Sequence, residues 1–246
     1  MPRLGRRLAS CFNRRMTDWL LPADWHALAL SLRVGVLSVV VALPFALALA
    51  WLLSRKRFPG RVLLEAVLFL PLILPPVVTG YALLELLGRH GPIGGLLDQM
   101  GIVVAFRWTG AVIAAAVMGF PLLVLSIRVA FDGVDRRLEA AAETLGARAW
   151  RRFATITLPL SLRGIAAGCV LGFARAFGEF GATISFVSNI PGETRTLPIA
   201  IYELLNTPGG MPGVHRLALV SLVVAFAASA VAMLVAGGAP WRTRDD

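Results

Sequence analysis

Long apolar runs, each about 20 residues or more and separated by short charged or Gly/Pro-rich segments, constrain this chain more than any other feature. A helix needs roughly 20 apolar residues to cross about 30 Å of hydrocarbon. Within hydrocarbon every backbone polar group must find its partner internally, which a helix achieves alone. The expected fold class is therefore all-α integral membrane. Five spans are expected, at about 28–53, 62–87, 109–130, 164–186 and 217–237. The 57% hydrophobic content fits this reading, since soluble domains are roughly 45–50% apolar. Residues 16–246 then form one transmembrane domain.

The net charge is +10, and the lone lysine, Lys56, leaves 23 of the 24 basic residues as arginine. These arginines sit mainly beside the apolar runs, so nucleic-acid binding is not expected. The segment after span 1 holds Arg55, Lys56, Arg57 and Arg61. The segment between spans 3 and 4 holds Arg136, Arg137, Arg148, Arg151, Arg152 and Arg163, and the tail adds Arg242 and Arg244. The other two connections carry Arg89 with Arg107, and Arg195 with Arg216. The positive-inside rule places the richer set, and with it the C-terminus, in the cytoplasm. Residues 1–15, with five arginines, break that rule. Either they belong to a cytoplasmic element that re-enters, or translation starts at Met16 and the extension is not native; the second is preferred.

Several chemistries find no support. Lys56 lies between Arg55 and Arg57 and not in a G-K-[ST] sequence, so there is no Walker A motif and any ATP hydrolysis must come from another polypeptide. Cys11 and Cys169 make no disulfide framework. His26, His90 and His215 give no metal-ligand spacing. No G-x-S-x-G sequence is present. No catalytic residue, metal or cofactor is expected, and the chain reads as a transport protein and not an enzyme.

Span 2 is interrupted by Pro71 and by Pro75-Pro76, and the freed backbone groups must be satisfied by protein or by a water-filled cavity. A pathway-lining span and a structural kink both fit. In span 4, Gly164, Gly168 and Gly172 form a ladder that lets helices approach closely. Arg175 and Glu179, four residues apart, can pair on one helix face. Charges at such depth usually face the bundle interior or water, so Arg175 lines a polar pathway or the pair fixes packing. Thr183, Ser185 and Ser188 offer hydroxyls, which in membrane helices more often bond their own backbone. Glu65, Arg128, Arg33 and Glu85, near span ends, are expected to reach to the interface.

The connection at about 132–162 is not a plain linker. Asp135 is placed to cap a helix. Leu138, Ala142, Leu145, Ala149 and Phe153 recur at spacings of three and four, which gives one apolar stripe. Glu139 and Glu143 come early while Arg148, Arg151 and Arg152 come late, as the helix dipole prefers. Gly146 permits a bend, and Pro159 is expected to end the run before span 4. Such an amphipathic hairpin either lies on lipid or docks a soluble partner.

The spacing Ala140-Ala141-Ala142, three residues, Gly146, nine residues, Ile156-Thr157-Leu158-Pro159 resembles the EAA loop of ATP-binding-cassette importer permeases. The usual Glu position is Ala140 here, and the acid stands one residue earlier, at Glu139. The stretches 69–80, 174–198 and 206–210 look like molybdate permease subunits, while Gly178-Glu179-Phe180-Gly181-Ala182 is shared with sulfate and thiosulfate permeases. The resemblance implies a type I importer permease fold in a bacterial cytoplasmic (inner) membrane. It implies a loop whose residues Glu139, Ala140, Ala141, Ala142, Gly146, Ile156, Leu158 and Pro159 couple to an ATPase. It further implies a homodimer in contact with membrane lipid, two copies of an ATP-binding subunit and an external oxyanion-binding protein. The cargo is an oxyanion, molybdate first, with tungstate, sulfate or thiosulfate as alternatives. Pro75, Pro76, Arg175, Glu179 and Thr183 are the pathway or gate candidates. A self-sufficient secondary transporter or channel is the rival; its marks are inverted repeats and helices interrupted in both halves, and only span 2 is clearly interrupted in sequence.

Overall fold

A computed structural model describes residues 19–236, and the extension 1–15 and the last residues of the chain lie outside that range. Among the described residues every regular element is helical. In chain order they are α1 (Pro22–Arg55), α2 (Arg61–Ile73), α3 (Pro76–Leu87), α4 (Gly94–Gln99), α5 (Trp108–Asp132), α6 (Arg136–Thr144) and α7 (Ala149–Arg152). A π turn (Phe153–Thr157) follows, then α8 (Leu158–Phe177), α9 (Gly181–Val187), α10 (Leu197–Leu205) and α11 (Met211–Ala236). Four helical stretches are long and apolar enough to cross a membrane, and a fifth crossing is made if α2 and α3 count as one bent span.

The centre of the bundle is α5, packed between α1 and α8. Small side chains allow this closeness. Ala42, Ala46 and Ala50 of α1 are buried against the α5 face that carries Leu123, Val124, Ile127 and Phe131. Packing between α5 and α8 depends on the glycine ladder. A Cβ added at Gly164 would lie 2.4 Å from Ala130 Cβ, and one at Gly168 would lie 3.0 Å from Ser126 Cβ. The outer helix α11 rests on α8 and leaves most of its surface exposed.

Span 2 does not run straight. Leu74 and Pro75 each precede a proline, a position that disfavours helical backbone, and both are extended (ψ 146° and 132°). The two half-helices α2 and α3 meet at 112°. With 13 and 12 residues they are about 20 and 18 Å long, too short to cross alone. Pro71, by contrast, lies inside α2 without interrupting it.

The fourth span departs from expectation at both ends. Pro159 does not end the run that enters it. The helical path continues from Ala149 through the π turn to Phe177, and Pro159 falls in the first turn of α8, where the bonding register is already changing and a missing N–H costs little. At the far end the helix stops at Phe177, not near 186, and Gly178–Phe180 separate it from the short helix α9. Spans 2 and 4 are therefore both interrupted, and the interruptions meet. A Cβ at Gly181 would lie 2.7 Å from Pro76 Cβ, and one at Gly80 would lie 2.4 Å from the Ala182 carbonyl oxygen.

Gly80→Ala should therefore force backbone apart where α3 crosses α9. A cost of about 1–3 kcal/mol is expected, seen as a lower unfolding temperature of the detergent-solubilised protein. An unchanged temperature would mean that this crossing is loose.

Candidate functional site

At the end of the bundle that carries α6 and α7, one arginine gathers four segments. Arg55, the last residue of α1, extends its guanidinium to the Glu139 carboxylate of α6, with Nη2 at 2.8 Å and Nε at 3.2 Å from Oε1. Its Nη2 also donates to the Phe131 carbonyl of α5 at 2.9 Å. The same Glu139 oxygen accepts from the Thr157 hydroxyl of the π turn at 2.5 Å. The Arg55 and Glu139 side chains are only 9% and 18% exposed. A charge held in so little water needs such partners. Beside them, Ser54 Oγ donates to Asp132 at 2.5 Å and Arg136 donates to the Ser54 carbonyl at 3.0 Å. The cluster thus ties α6 to the ends of α1 and α5 and to the π turn that leads into α8.

The hairpin itself forms as its residues dictate. Asp135 caps α6 by accepting from the Arg137 N–H at 2.8 Å. Gly146 takes the left-handed conformation (φ +80°), which side chains rarely adopt, and reverses the chain. Glu143 of α6 then pairs with Arg152 of α7 across the turn. The reversal splits the expected single apolar stripe. Phe153 turns inward, edge-on to Trp51 and Phe131. Leu138, Leu145 and Trp150 remain exposed, Leu145 at 87%. Of the motif residues, Ala140, Ala141, Gly146 and Pro159 are exposed, Ala142, Ile156 and Leu158 are half-buried, and Glu139 turns inward. Arg55 and Thr157 are members of this cluster that the sequence does not single out. Arg55 reads as one of several basic residues flanking a span, and its partner stands 84 positions away.

The second group lies at the meeting point of the two interruptions. Arg175 and Glu179 do meet as an ion pair. They do not share one helix, because Glu179 follows the end of α8; it is buried and accepts from the Ala182 N–H of α9 at 2.9 Å. Thr183 is buried on α9 nearby in sequence, while Pro75 and Pro76 are exposed at the break in span 2. Ser185 bonds its own helix at Gly181, as membrane hydroxyls commonly do. Thr79 on α3 has a buried hydroxyl with no hydrogen-bond partner among the described residues.

Three of the four charges near span ends, Glu65, Arg128 and Arg33, have partners on other elements. Glu65 accepts from both Arg61 and Arg128 at 3.0 Å, which joins α2 to α5. Arg33 of α1 stacks 3.7 Å over the Trp108 ring, a favourable cation–π arrangement.

Two broken spans that meet beside the Arg175–Glu179 pair, in a bundle with an amphipathic hairpin at one end, are the features of a polytopic membrane-spanning subunit. Residues 42–238 match the model of the binding-protein-dependent transport system inner membrane component. The chain belongs to that family. It is 59% identical over 207 residues to the molybdenum transport system permease protein ModB of Escherichia coli (strain K12), a match covering 84% of this chain and 90% of the relative. The sulfate transport system permease protein CysW of the same organism is 36% identical over 209 residues, covering 83% of this chain and 72% of the relative. In fold the chain resembles a bacterial ABC transporter involved in the import of the acidic polysaccharide alginate, with a TM-score of 0.66 at 19% identity, covering 91% of this chain and 83% of that one. The protein is accordingly a transport permease subunit and not an enzyme, with the type I importer fold.

Proposed function

We propose that this chain is the membrane-spanning subunit of an ATP-driven importer whose cargo is a tetrahedral oxyanion, molybdate before sulfate or tungstate. The hairpin bound to three spans through Arg55 and Glu139 carries the driven part of the proposal, since a self-sufficient carrier has no use for such a handle. The interruption of span 4 removes one sequence argument against the secondary-transporter rival. Family membership and the hairpin are what set that rival aside. The choice of molybdate rests on the higher identity to ModB than to CysW.

In the working assembly, two copies of this chain form a homodimer within lipid, and residues 16–246 make up one transmembrane domain per copy. Two ATP-binding subunits lie beneath the hairpins in the cytoplasm, where the C-terminus also lies, and a binding protein delivers the anion from outside. The exposed positions Ala140, Ala141 and Gly146 face the ATPase, with Leu145 and Trp150 as the apolar anchors. Ile156, Leu158 and Pro159 carry its motion into α8. ATP closes the ATPase pair, the hairpins move together, and the spans open outward to receive the anion. Pro75, Pro76, Arg175, Glu179 and Thr183 form the gate region, where Arg175 can exchange Glu179 for the passing dianion. No cofactor in this chain takes part.

Reconstitution tests the whole reading. Proteoliposomes holding the complete complex should accumulate molybdate only with ATP and binding protein present, and excess sulfate should compete weakly. Accumulation by this chain without a nucleotide-hydrolysing partner would overturn it. Within the same assay, Arg175→Gln should lower uptake about tenfold, the scale of one lost charge-assisted hydrogen bond, while the complex still assembles. Unaltered uptake would assign Arg175 to packing.

A further inference from the structure

A second feature at the hairpin end borders the coupling cluster, with which it shares Arg55, and contains cations that neither the cluster nor the gate uses. Where α1 ends and α2 begins, a hollow of about 320 Å³ is lined by Arg55, Lys56, Arg57, Arg61 and Arg136, against one carboxylate, Asp132. Two of these cations are already compensated: Arg55 by Glu139, and Arg61 by Glu65. Arg136 donates to the neutral Ser54 carbonyl and has no carboxylate within ion-pair distance among the described residues. Lys56 and Arg57 are exposed and have no carboxylate within ion-pair distance among the described residues. Asp132 is occupied by the Ser54 hydroxyl at 2.5 Å and by Arg128 at 3.7 Å. Three uncompensated cations therefore converge on one cavity, and mutual repulsion favours an anion between them.

The setting says which anion. Gly60, in the left-handed conformation (φ +85°), starts α2 without a side-chain cap, and Arg61, the first residue of this 13-residue helix, lines the hollow. On that same turn Val62 and Leu63 are 82% and 70% exposed, and Val67 follows one turn later at 59%. An apolar strip thus leads directly away from a basic hollow. A soluble anion would use only the hollow, whereas a phospholipid uses both.

We infer that this hollow is a site for the phosphate headgroup of an anionic phospholipid, held by Lys56, Arg57 and Arg136, with the acyl chains lying along Val62, Leu63 and Val67 of α2. The inference holds whichever oxyanion the transporter carries, and its test needs no transport. The full-length protein, purified in mild detergent, is titrated with phosphatidylglycerol and, separately, with phosphatidylcholine of the same chain length, and bound lipid is counted by native mass spectrometry. Phosphatidylglycerol should be preferred. The double variant K56Q/R57Q should lose about 25-fold of that preference, at roughly fivefold per basic residue near an anionic headgroup. The double variant R148Q/R151Q removes equal charge from the exposed hairpin and should keep the preference. Both variants alter exposed polar side chains, so folding is not at risk. Equal losses in the two variants, or no preference in the unaltered protein, would overturn a localised site. Displacement of bound phosphatidylglycerol by millimolar inorganic phosphate would overturn the lipid in favour of a soluble anion.

Discussion

Glu139→Ala should uncouple the transporter without dismantling it. The variant should insert, retain its ATPase and hydrolyse ATP, yet accumulate molybdate about a hundredfold more slowly. The Glu139 carboxylate is turned into the bundle against Arg55 and Thr157. Without it the Arg55 guanidinium, 9% exposed, is left with the Phe131 carbonyl and the Ser54 hydroxyl and no counter-charge. Stranding one member of a buried pair costs about 3 kcal/mol, or two orders of magnitude in an equilibrium. That cost falls on the joint between α6 and the spans and not on the hairpin's outer surface. Glu139→Gln keeps an acceptor for Thr157 and a neutral one for Arg55, and it should fall between the two extremes. Parallel measurement of ATPase retention and uptake gives the decision. Loss of the ATPase would place Glu139 in the docking surface, and normal uptake would remove the cluster from the drive train.

Which parts of this arrangement were legible in the sequence follows from the range of the forces involved. Span positions depend on local hydrophobicity, so α1, α5 and α11 overlap the apolar runs that predict them. The break in span 2 is equally local, since two successive prolines fix the backbone of the residues before them. The break after Phe177 is different. Gly178-Glu179-Phe180-Gly181 carries no proline, and what holds the chain there is Glu179 reaching Ala182 together with Gly181 pressing on Pro76 of another span. Pro159 misled for a related reason: its effect depends on the π turn preceding it, which spacing alone does not reveal. Asp135 and Gly146 act within a few residues and were readable. Arg55 was not, because only the packing of α1 against α5 brings it to Glu139.

Leu145→Asp should do the reverse of Glu139→Ala: the ATPase should no longer co-purify, while the permease itself stays folded. Leu145 stands next to the Gly146 reversal at 87% exposure, so in the free subunit an aspartate there meets water and costs little. In the proposed complex the same position serves as an apolar anchor beside the Gly146 turn. Removing a leucine from such a contact forfeits about 2 kcal/mol of apolar burial, and placing an unpaired carboxylate there adds a desolvation cost of at least similar size. The two together amount to a loss of affinity of about a thousandfold for each hairpin, and the proposed dimer would present two of them. A pull-down from membranes solubilised in mild detergent, with a thermal unfolding curve on the permease alone, separates loss of docking from loss of fold. The competing account of the exposed stripe, that Leu138, Leu145 and Trp150 lie on the lipid surface, predicts a different result. On that account an aspartate would weaken membrane contact only locally, and the ATPase would remain bound. Retention of the ATPase with normal uptake would therefore hand the stripe to the lipid and leave the Arg55–Glu139 joint without a motor to transmit.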